Sequence, residues 1–323
     1  MNELEIIKSF RKKKILLIGD TILDVYSYGR SVGKSLDAPN IEAEQDNVCI
    51  SFGGTSLVAN NILKLGGSLV YFSIVGNDEN VKHYDSFKHP KLDKHFLIDK
   101  NRRTTVKKRF WVDGYKLLQV NEVDNHDINI DLEKKIMKLI NSFINDVDLV
   151  LIYDPQHGLL TKNLINFLIK LSKKYHKPLY VDSQVSHRGS NHYLYKGVDC
   201  MFFNETEVMA ANPNLSFDKP KSLLNSLKQE FEISDVIVKL GPKGSISLFD
   251  NKYIKTPAYP VKTVDVCGAG DAFLAAFSLC DKDYPEKALA IANKWAGLST
   301  AIHGTIPPLK KDLIDNKKSN PNR

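Results

Sequence analysis

The sequence is poor in cysteine, and its cysteines form no recognisable pattern. The 323 residues include four, and no two of them are spaced as CxxC: Cys49, Cys200, Cys267 and Cys280. This spacing argues against a zinc site and favours reduced thiols in a cytoplasmic protein. Long apolar runs are also absent, so neither a signal peptide nor a membrane span is predicted. No HExxH or GxSxG occurs, and no GxGxxG follows the first predicted strand, which argues against a Rossmann dehydrogenase.

The basic charge of the chain is concentrated at its two ends. The formal net charge is +7. The run Arg11–Lys14 supplies four positive charges, and residues 310–323 supply a net three, so the remainder balances. This distribution is typical of solvated termini, and we expect no nucleic-acid partner.

Short apolar runs alternate with longer amphipathic patterns along the chain. The apolar runs predict strands at 15–18, 69–72, 149–152, 179–181 and 236–238. Helical patterns lie near 54–66, 130–145, 161–175, 219–230, 271–281 and 286–302. Buried strands that alternate with helices predict an α/β fold with a doubly wound, mainly parallel sheet.

Two segments interrupt this alternation. Residues 24–50 and 104–121 show the period-2 pattern of strands, and the second contains a turn at Asp113-Gly114. We expect both to form a small β lid on a single domain that spans 1–309, followed by a flexible charged tail at 310–323.

The stretch VDVCGAGDAF, at 264–273, places two glycines and a carboxylate before an apolar helical pattern. The first turn of a helix has unpaired N–H groups and partial positive charge, so Gly268, Ala269 and Gly270 predict an anion hole suited to phosphate. Asp271 would repel a resting phosphate, but it could accept the proton of a hydroxyl that attacks one. The alternative is a glycine-rich turn in which the aspartate caps the helix.

Four weaker motifs accompany this one. Asp20 and Asp24 follow the first strand, at the end where open α/β sheets bind ligands. Gly53-Gly54 precedes a helix, and VKLGPKGS at 238–245 combines a strand with a turn. In NETE, Asn204 and Glu207 are three residues apart and could hold Mg²⁺-bound water or phosphate. Each motif alone is equally compatible with a tight turn or a helix cap.

The order of these motifs resembles that of the ribokinase-like, or phosphofructokinase-B, carbohydrate kinases. The likeness runs from about residue 14 to 309. It is closest to the kinase domain of heptose 7-phosphate kinases, through GDTILDVYSYG, DAPN, VKKRF, YDPQHG and HGT. The resemblance implies transfer of the γ-phosphoryl of ATP to a sugar or sugar phosphate, with Mg²⁺, in a pathway to nucleotide sugars and surface glycans. It also implies a homodimer formed through the lid.

The resemblance implies roles for individual residues. Asp271 would be the catalytic base beside the anion hole. Asn204 and Glu207 would orient magnesium. The nucleotide site would contain Asn204, Lys239, Gly241, Gly244, Asn293 and Gly304. The sugar site would contain Asp24, Gly53, Gly54, Lys107, Arg109 and Asp154.

Some positions depart from the family pattern. Leu57 replaces an asparagine, Ser183-Gln184 replaces a Pro-Lys pair, and Gln119 replaces an arginine that heptose kinases tend to carry. Lys294-Trp295 replaces two small residues near the expected adenine site, and Cys267 replaces a threonine. These changes weaken the assignment to heptose phosphate more than they weaken the assignment to the family.

The lid segment contains six basic residues and no acid between Lys100 and Arg109. Lys107 and Arg109 are two apart, so on a strand they share a face. Two cations that face the sugar suit a substrate that already carries phosphate. The alternative is a basic edge strand that resists aggregation.

The sequence therefore predicts an ATP-dependent sugar or sugar-phosphate kinase. Two other functions stay open: a kinase of an unphosphorylated sugar or nucleoside, and a catalytically silent sugar-phosphate-binding regulator. We expect no attached nucleotidyltransferase segment, so a later activation of the product would need another protein.

Overall fold

The computed structural model describes residues 1–187 and 189–315. Its strands, in chain order, are β1 (Lys14–Ile18), β2 (Thr21–Lys34), β3 (Ile41–Gly54), β4 (Ser68–Val75), β5 (Leu92–Ile98), β6 (Val106–Val112), β7 (Tyr115–Glu122), β8 (Leu149–Asp154), β9 (Leu179–Ser183), β10 (Cys200–Asn204), β11 (Asp235–Lys239), β12 (Ser245–Phe249) and β13 (Lys252–Thr256). Its helices are α1 (Glu3–Ser9), α2 (Thr55–Leu65), α3 (Ile130–Phe143), α4 (Lys162–Lys174), α5 (Glu205–Ala211), α6 (Pro220–Glu230), α7 (Ala269–Ser278), α8 (Pro285–Thr300) and α9 (Lys310–Ile314).

Nine of the described strands form one large sheet in the order β13-β12-β11-β10-β9-β8-β1-β4-β5. The seven strands from β11 to β5 pair in parallel, and the hairpin β12–β13 adds an antiparallel edge. The carboxyl ends of the parallel strands therefore lie along one edge of the sheet. Ligands bind at this edge in open α/β folds, so the site is expected there.

Helices cover both faces of this sheet. One apolar cluster packs α1, α2, α7, α8 and α9 on one face. A second cluster packs α3, α4, α5 and α6 on the other. The prediction of a doubly wound, mainly parallel sheet is thereby confirmed. All six predicted long helices are present, with ends within three residues of their predicted bounds.

The helix ends follow local chemistry. The side chains of Asn129 and Thr161 accept backbone N–H bonds at the start of α3 and α4. Gly66 ends α2 in the left-handed conformation, with φ 101°. Sequence patterns missed the short helices α1 and α5 and the strand β5, because these elements are too short or too exposed to give a clear period.

The predicted lid is a separate four-stranded sheet in the order β3-β2-β6-β7. Strands β2 and β3 form a long antiparallel hairpin, and β6 pairs in parallel with β2. The two segments that interrupt the α/β pattern therefore pair with each other, as expected. The first segment extends beyond its predicted bounds, since β2 begins at Thr21 and β3 ends at Gly54, whereas β6 and β7 lie within one or two residues of the predicted 104–121.

The predicted flexible tail needs a correction at its start. Lys310–Ile314 form helix α9, and Leu313 is buried against the sheet-covering helices. Burial of the Leu313 side chain keeps this segment helical, although its high charge had suggested that it would fray. The rest of the predicted tail, 316–323, lies outside the described residues. Among the described residues, no helix has the length and apolar character that crossing a membrane requires.

Candidate active site

The glycine-rich stretch starts helix α7 at the carboxyl edge of the large sheet. Gly268 is the N-cap and has φ 82°, a conformation that side chains rarely adopt. A Cβ added to Gly268 would also lie 2.6 Å from Leu57 Cδ2. Leu57, the departure in α2, therefore packs directly under the loop. The first turn of a helix leaves N–H groups without partners inside the helix, as the predicted anion hole requires, although the N–H of Ala269 donates to Val266 O over 3.3 Å.

Asp271 lies in the first turn of α7 and is partly accessible. Burial raises its pKa to about 6, and the nearby charge of Asp182 acts in the same direction. A hydrogen bond from the Tyr153 hydroxyl and the charge of Lys239 lower the pKa and partly offset these effects. A carboxyl group with a pKa near 6 is ionised at neutral pH and can accept a proton.

Lys239, at the end of β11, brings a cation to the same place. It forms an ion pair with Asp182 at the end of β9. Its Nζ would lie 3.6 Å from a Cβ added to Gly270. Burial lowers the pKa of Lys239, but Asp182 and Glu207 raise it further, so it stays charged. Asp182 was missed by sequence reasoning, although its position directly after a buried strand was a usable signal.

Asn204 and Glu207 form a reciprocal cap on helix α5. Glu207 N donates to Asn204 Oδ1 over 2.9 Å, and Asn204 N donates to Glu207 Oε2 over 2.7 Å. The sequence alternative of a helix cap is therefore correct, but it does not exclude a second role. Burial raises the pKa of Glu207 to about 7, Lys239 lowers it and Asp182 raises it again.

A magnesium ion was predicted beside this cap. The described residues contain no group of three His, Cys, Asp or Glu that could enclose a metal. Mg²⁺ usually keeps several waters and binds through one or two carboxylates plus substrate phosphates. The oxygens of Glu207 and Asn204 fit that mode, since a buried carboxylate with a raised pKa is stabilised by a nearby cation.

A cavity of about 640 Å³ adjoins the anion hole. Six predicted residues line it together with new ones, among them Tyr259. The predicted ones are Ala269, Gly270, Lys239, Gly241, Gly244 and Asn293. Gly244 has φ 87°, and a Cβ there would lie 2.0 Å from Thr256 O. The backbone therefore approaches closely at the turn that forms one wall.

Gly304 does not line the cavity beside the anion hole. Its N–H donates to Asp265 Oδ2 over 3.1 Å, and it lines a second cavity of about 500 Å³ between the lid and residues 303–306. The structure therefore does not bring Gly304 together with the other predicted nucleotide residues. Its Cα instead faces the ring of Tyr26, since an added Cβ would lie 3.8 Å from that ring.

The predicted sugar residues meet where the lid joins the large domain. Arg109 Nη1 lies 2.5 Å from Asp24 Oδ1, and the pair is buried. Thr305 Oγ1 donates to Asp24 Oδ2 over 3.2 Å. A Cβ on Gly53 would lie 2.2 Å from Asp24 Oδ2, so glycine is required there. Thr305 belongs to the HGT motif of the resemblance, but the sequence assigned it no role.

Lys107 pairs in register with Asp24, and its side chain therefore lies on the same face of the lid as that of Arg109. Burial lowers the pKa of Lys107, Asp24 and Asp271 raise it, and Arg109 lowers it. The amine thus lies in the field of the sugar residues and of the candidate base. Within the described chain it forms no ion pair.

Asp154 is not brought to the open cleft. It is 1% exposed. Its oxygens accept bonds from Tyr195 Oη at 2.6 Å, Asn191 Nδ2 at 2.7 Å and Gln156 N at 2.8 Å. These bonds order the loop after β8, so the structure gives Asp154 a structural role in place of the expected contact with substrate.

Two of the other departures, Trp295 and Lys294, have packing roles. Trp295 is fully buried, and its Nε1 donates to Asn61 Oδ1 over 2.8 Å, so it ties α8 to α2 and does not line the nucleotide cavity. Lys294 Nζ lies 5.4 Å from the centre of the Tyr259 ring. Gln119 is exposed on β7 and bonds to Asn121.

Known proteins are similar to this chain in sequence and in fold. The model of the "pfkB family carbohydrate kinase" matches residues 12–312. The bifunctional protein HldE of Campylobacter jejuni subsp. doylei is 30% identical over 302 residues, which cover 92% of this chain and 63% of that protein. HldE of Helicobacter acinonychis is 30% identical over 272 residues, or 83% of this chain and 58% of that protein. The chain thus spans about six-tenths of these relatives.

Solved structures agree on the fold. Phosphofructokinase-2 from Escherichia coli, in complex with substrates and products, superposes with a TM-score of 0.75 at 18% identity and covers 94% of this chain and 97% of its own. Ribokinase of Arabidopsis thaliana, complexed with ribose and ATP, gives a TM-score of 0.71 at 19% identity, over 94% and 97% of the two chains. The family match spans nearly the whole chain and agrees with the motif order, the two-sheet fold and the clustered site. The chain belongs to the pfkB family of carbohydrate kinases.

Proposed function

We propose that this protein transfers the γ-phosphoryl of ATP to a hydroxyl of a sugar that already carries a phosphate, a compound similar to heptose 7-phosphate. The family supplies the reaction class. The HldE relatives, described as bifunctional proteins, and the sequence resemblance to heptose kinases support the sugar class. Unbound cationic charge in the sugar cleft supports the phosphate.

Catalysis follows from the residues around α7. Asp271 accepts the proton of the attacking hydroxyl, because it is ionised above pH 6 and lies at the anion hole. The N–H groups of Gly268, Ala269 and Gly270, with the Lys239 ammonium, stabilise the charge of the transferred phosphoryl. Mg²⁺, held near Glu207 and Asn204 through water, would neutralise charge on the phosphate chain. The purine of ATP would lie in the cavity of about 640 Å³ that Tyr259 and Gly244 line.

The acceptor phosphate is assigned from Lys107. Arg109 faces the same cleft, but its charge is already balanced by Asp24. Lys107 has no ion-pair partner within the described chain, and its partly buried amine carries a desolvation cost. A phosphate on the substrate would supply the missing counter-charge. This unpaired lysine is the observation on which the assignment of a phosphorylated substrate rests.

The test compares two neighbouring lysines. Lys108 lies on the opposite face of β6 and pairs with Glu122, so Lys108→Met is a matched control for Lys107→Met. Initial rates are measured with Mg-ATP against a panel of sugar phosphates, with heptose 7-phosphate included, and their unphosphorylated counterparts. A charged hydrogen bond contributes about 1.5–3 kcal/mol, so Lys107→Met should lower kcat/KM for the sugar phosphate roughly 10- to 150-fold. Lys108→Met should change it less than about threefold, the effect of an exposed ion pair.

Two outcomes would favour other functions. If only an unphosphorylated sugar or a nucleoside in the panel turns over, that compound is the acceptor and the sugar phosphate is not. Binding of a sugar phosphate without any turnover would indicate a silent regulator. Arg109 remains a secondary candidate for the phosphate, because a substrate could exchange for Asp24 as its partner.

We further propose that two copies of the chain associate through the lid. The lid exposes apolar side chains on β3 and β7, including Ile50, Leu117, Leu118 and Val120. Such exposure is typical of an interface in a folded protein. Sedimentation should show a dimer, and Leu118→Lys should shift it to a monomer.

We also propose that the reaction takes place in the cytoplasm, upstream of nucleotide sugars for surface glycans.

A further inference from the structure

A buried ion pair spans the carboxyl ends of three neighbouring strands. Asp182 lies near the end of β9, Lys239 is the last residue of β11, and β10 lies between these strands in the sheet. Neighbouring strands are about 4.8 Å apart, so β9 and β11 are separated by roughly 10 Å. The Lys239 side chain therefore crosses the end of β10 to reach the Asp182 carboxylate.

The register of the strands places both side chains on the face of the sheet that α7 covers. Asp182 is opposite Phe202 on β10. Lys239 is opposite Asn204, two residues further along the same strand. Residues two apart share a face of a strand, and Phe202 belongs to the apolar cluster that packs α7 on the sheet. The ammonium therefore lies at the first turn of α7, where its Nζ would be 3.6 Å from a Cβ added to Gly270.

Among the described residues, Lys239 is the only partner of the Asp182 carboxylate. The residue is 2% exposed, and a buried carboxylate is costly unless it is paired. Asp154, another buried carboxylate, orders a loop through bonds from Tyr195 and Asn191. Asp182 makes no such bonds, so its one effect on its surroundings is to fix the Lys239 ammonium.

We propose that Asp182 is a positioning residue that holds the Lys239 ammonium at the anion hole, where the ammonium meets the phosphoryl group in transfer. The inference rests on the proposed kinase reaction and adds to it a residue that acts through another side chain. Asp182 and the phosphate of ATP are alternative partners of one ammonium. Asp182 should therefore increase the rate of phosphoryl transfer without tightening the binding of ATP.

The first experiment measures kcat and KM separately for Asp182→Asn, with Mg-ATP and the best acceptor of the sugar panel. Asparagine keeps the shape of the side chain but loses the charge that holds the ammonium. We expect kcat to fall roughly 10- to 150-fold, which corresponds to the loss of one hydrogen bond to a charged group. The KM for ATP should not rise, because a competitor of the phosphate is removed. Asp182→Glu keeps a carboxylate and should have a higher kcat than Asp182→Asn.

The second experiment replaces the lysine by a free amine. Lys239→Ala leaves a space beside the nucleotide cavity, and methylammonium or ethylammonium supplies the missing cation. Added amine should raise kcat/KM of this variant about tenfold. It should have no effect in Lys239→Ala combined with Asp182→Asn, because the carboxylate that holds the amine is absent. Lys243→Ala is the matched control, since Lys243 forms an exposed ion pair with Glu205, and amine should not change its activity.

The outcomes separate this inference from the proposed function. A wild-type kcat in Asp182→Asn, or an equal rescue by amine with and without Asp182, would overturn the positioning role while Asp271→Asn stays inactive. A fall of kcat with a matching rise of the KM for ATP would also overturn it, because general damage to the site changes both. Full activity of Asp271→Asn, or no turnover of any acceptor, would instead remove the proposed function and this inference with it.

Discussion

Arg109 Nη1 lies 2.5 Å from Asp24 Oδ1, and this buried ion pair joins strand β6 of the lid to strand β2 where the lid meets the large domain. The guanidinium also lies 5.1 Å from the centre of the Tyr26 ring. The pair therefore both stabilises the lid and occupies the sugar cleft. Its loss should lower the free energy of unfolding more than the loss of an exposed ion pair of the lid.

Arg109→Met should destabilise the protein strongly. Removal of one partner leaves the Asp24 carboxylate buried without its counter-charge, which costs about 3–5 kcal/mol. Arg30→Met is the control in the same lid sheet, because Arg30 on β2 and Glu44 on β3 are exposed and contribute about 1 kcal/mol or less. Urea unfolding measures both. Equal losses in the two variants would show that the Asp24–Arg109 pair has no special role.

Glu207→Gln should raise the magnesium concentration needed for half-maximal rate. Glutamine can still accept the helix cap, so the fold should be kept while one charge near the ion is lost. Glu205→Gln is the control, since Glu205 lies in the same turn but is exposed toward Lys243. A magnesium titration that is identical in wild type and Glu207→Gln would leave this segment as a helix cap only.

Asp271→Asn should stabilise the folded state in a pH-dependent way. The carboxyl has a pKa of about 6 in the folded protein and an ordinary value of 3.8. The folded state thus favours the neutral form, and this contribution is fully present below pH 3.8 and is lost as the pH rises through 6. The variant should gain up to roughly 2 kcal/mol relative to wild type between pH 4 and pH 8. Unfolding curves that show the same difference at both pH values would contradict the raised pKa.

Gly268→Ala should impair the anion hole. The residue has φ 82°, and its new Cβ would meet Leu57 at 2.6 Å. Strain of this kind costs about 1–3 kcal/mol, and the displaced loop should weaken ATP binding. Gly241→Ala is the comparison, because that residue has φ 55° but open space around the added Cβ. ATP titration should show a smaller loss for Gly241→Ala, and a loss of equal size would mean that the Leu57 contact is unimportant.

The sequence predicted the fold through features that act locally. Buried strands such as Leu149–Asp154 and amphipathic helices such as Lys162–Lys174 have clear patterns, and the period-2 pattern of 24–50 and 104–121 predicted the lid. The anion hole and the role of Asp271 were predicted because glycine before an apolar helix is unusual. These signals depend on residues close together in the chain.

The rest of the site depends on partners that are distant in sequence. Asp182 reaches Lys239 across 57 residues, and Thr305 reaches Asp24 across 281. The burial of Asp154 and the pairing of Arg109 with Asp24 could not be read from spacing either. The sequence could not tell which of Lys107 and Arg109 has no ion-pair partner, because both side chains lie on the same face of strand β6. The structure distinguishes them.

The central claim is that this chain is a sugar-phosphate kinase whose base is Asp271, and one comparison of turnover tests it most directly. Wild type and Asp271→Asn are assayed with saturating Mg-ATP and the best sugar phosphate at pH 8, and ATP affinity is measured alongside. Base catalysis typically contributes ~10²–10⁴-fold, so kcat should fall by about that factor while ATP affinity stays similar. Turnover of Asp271→Asn within a few-fold of wild type would contradict the account.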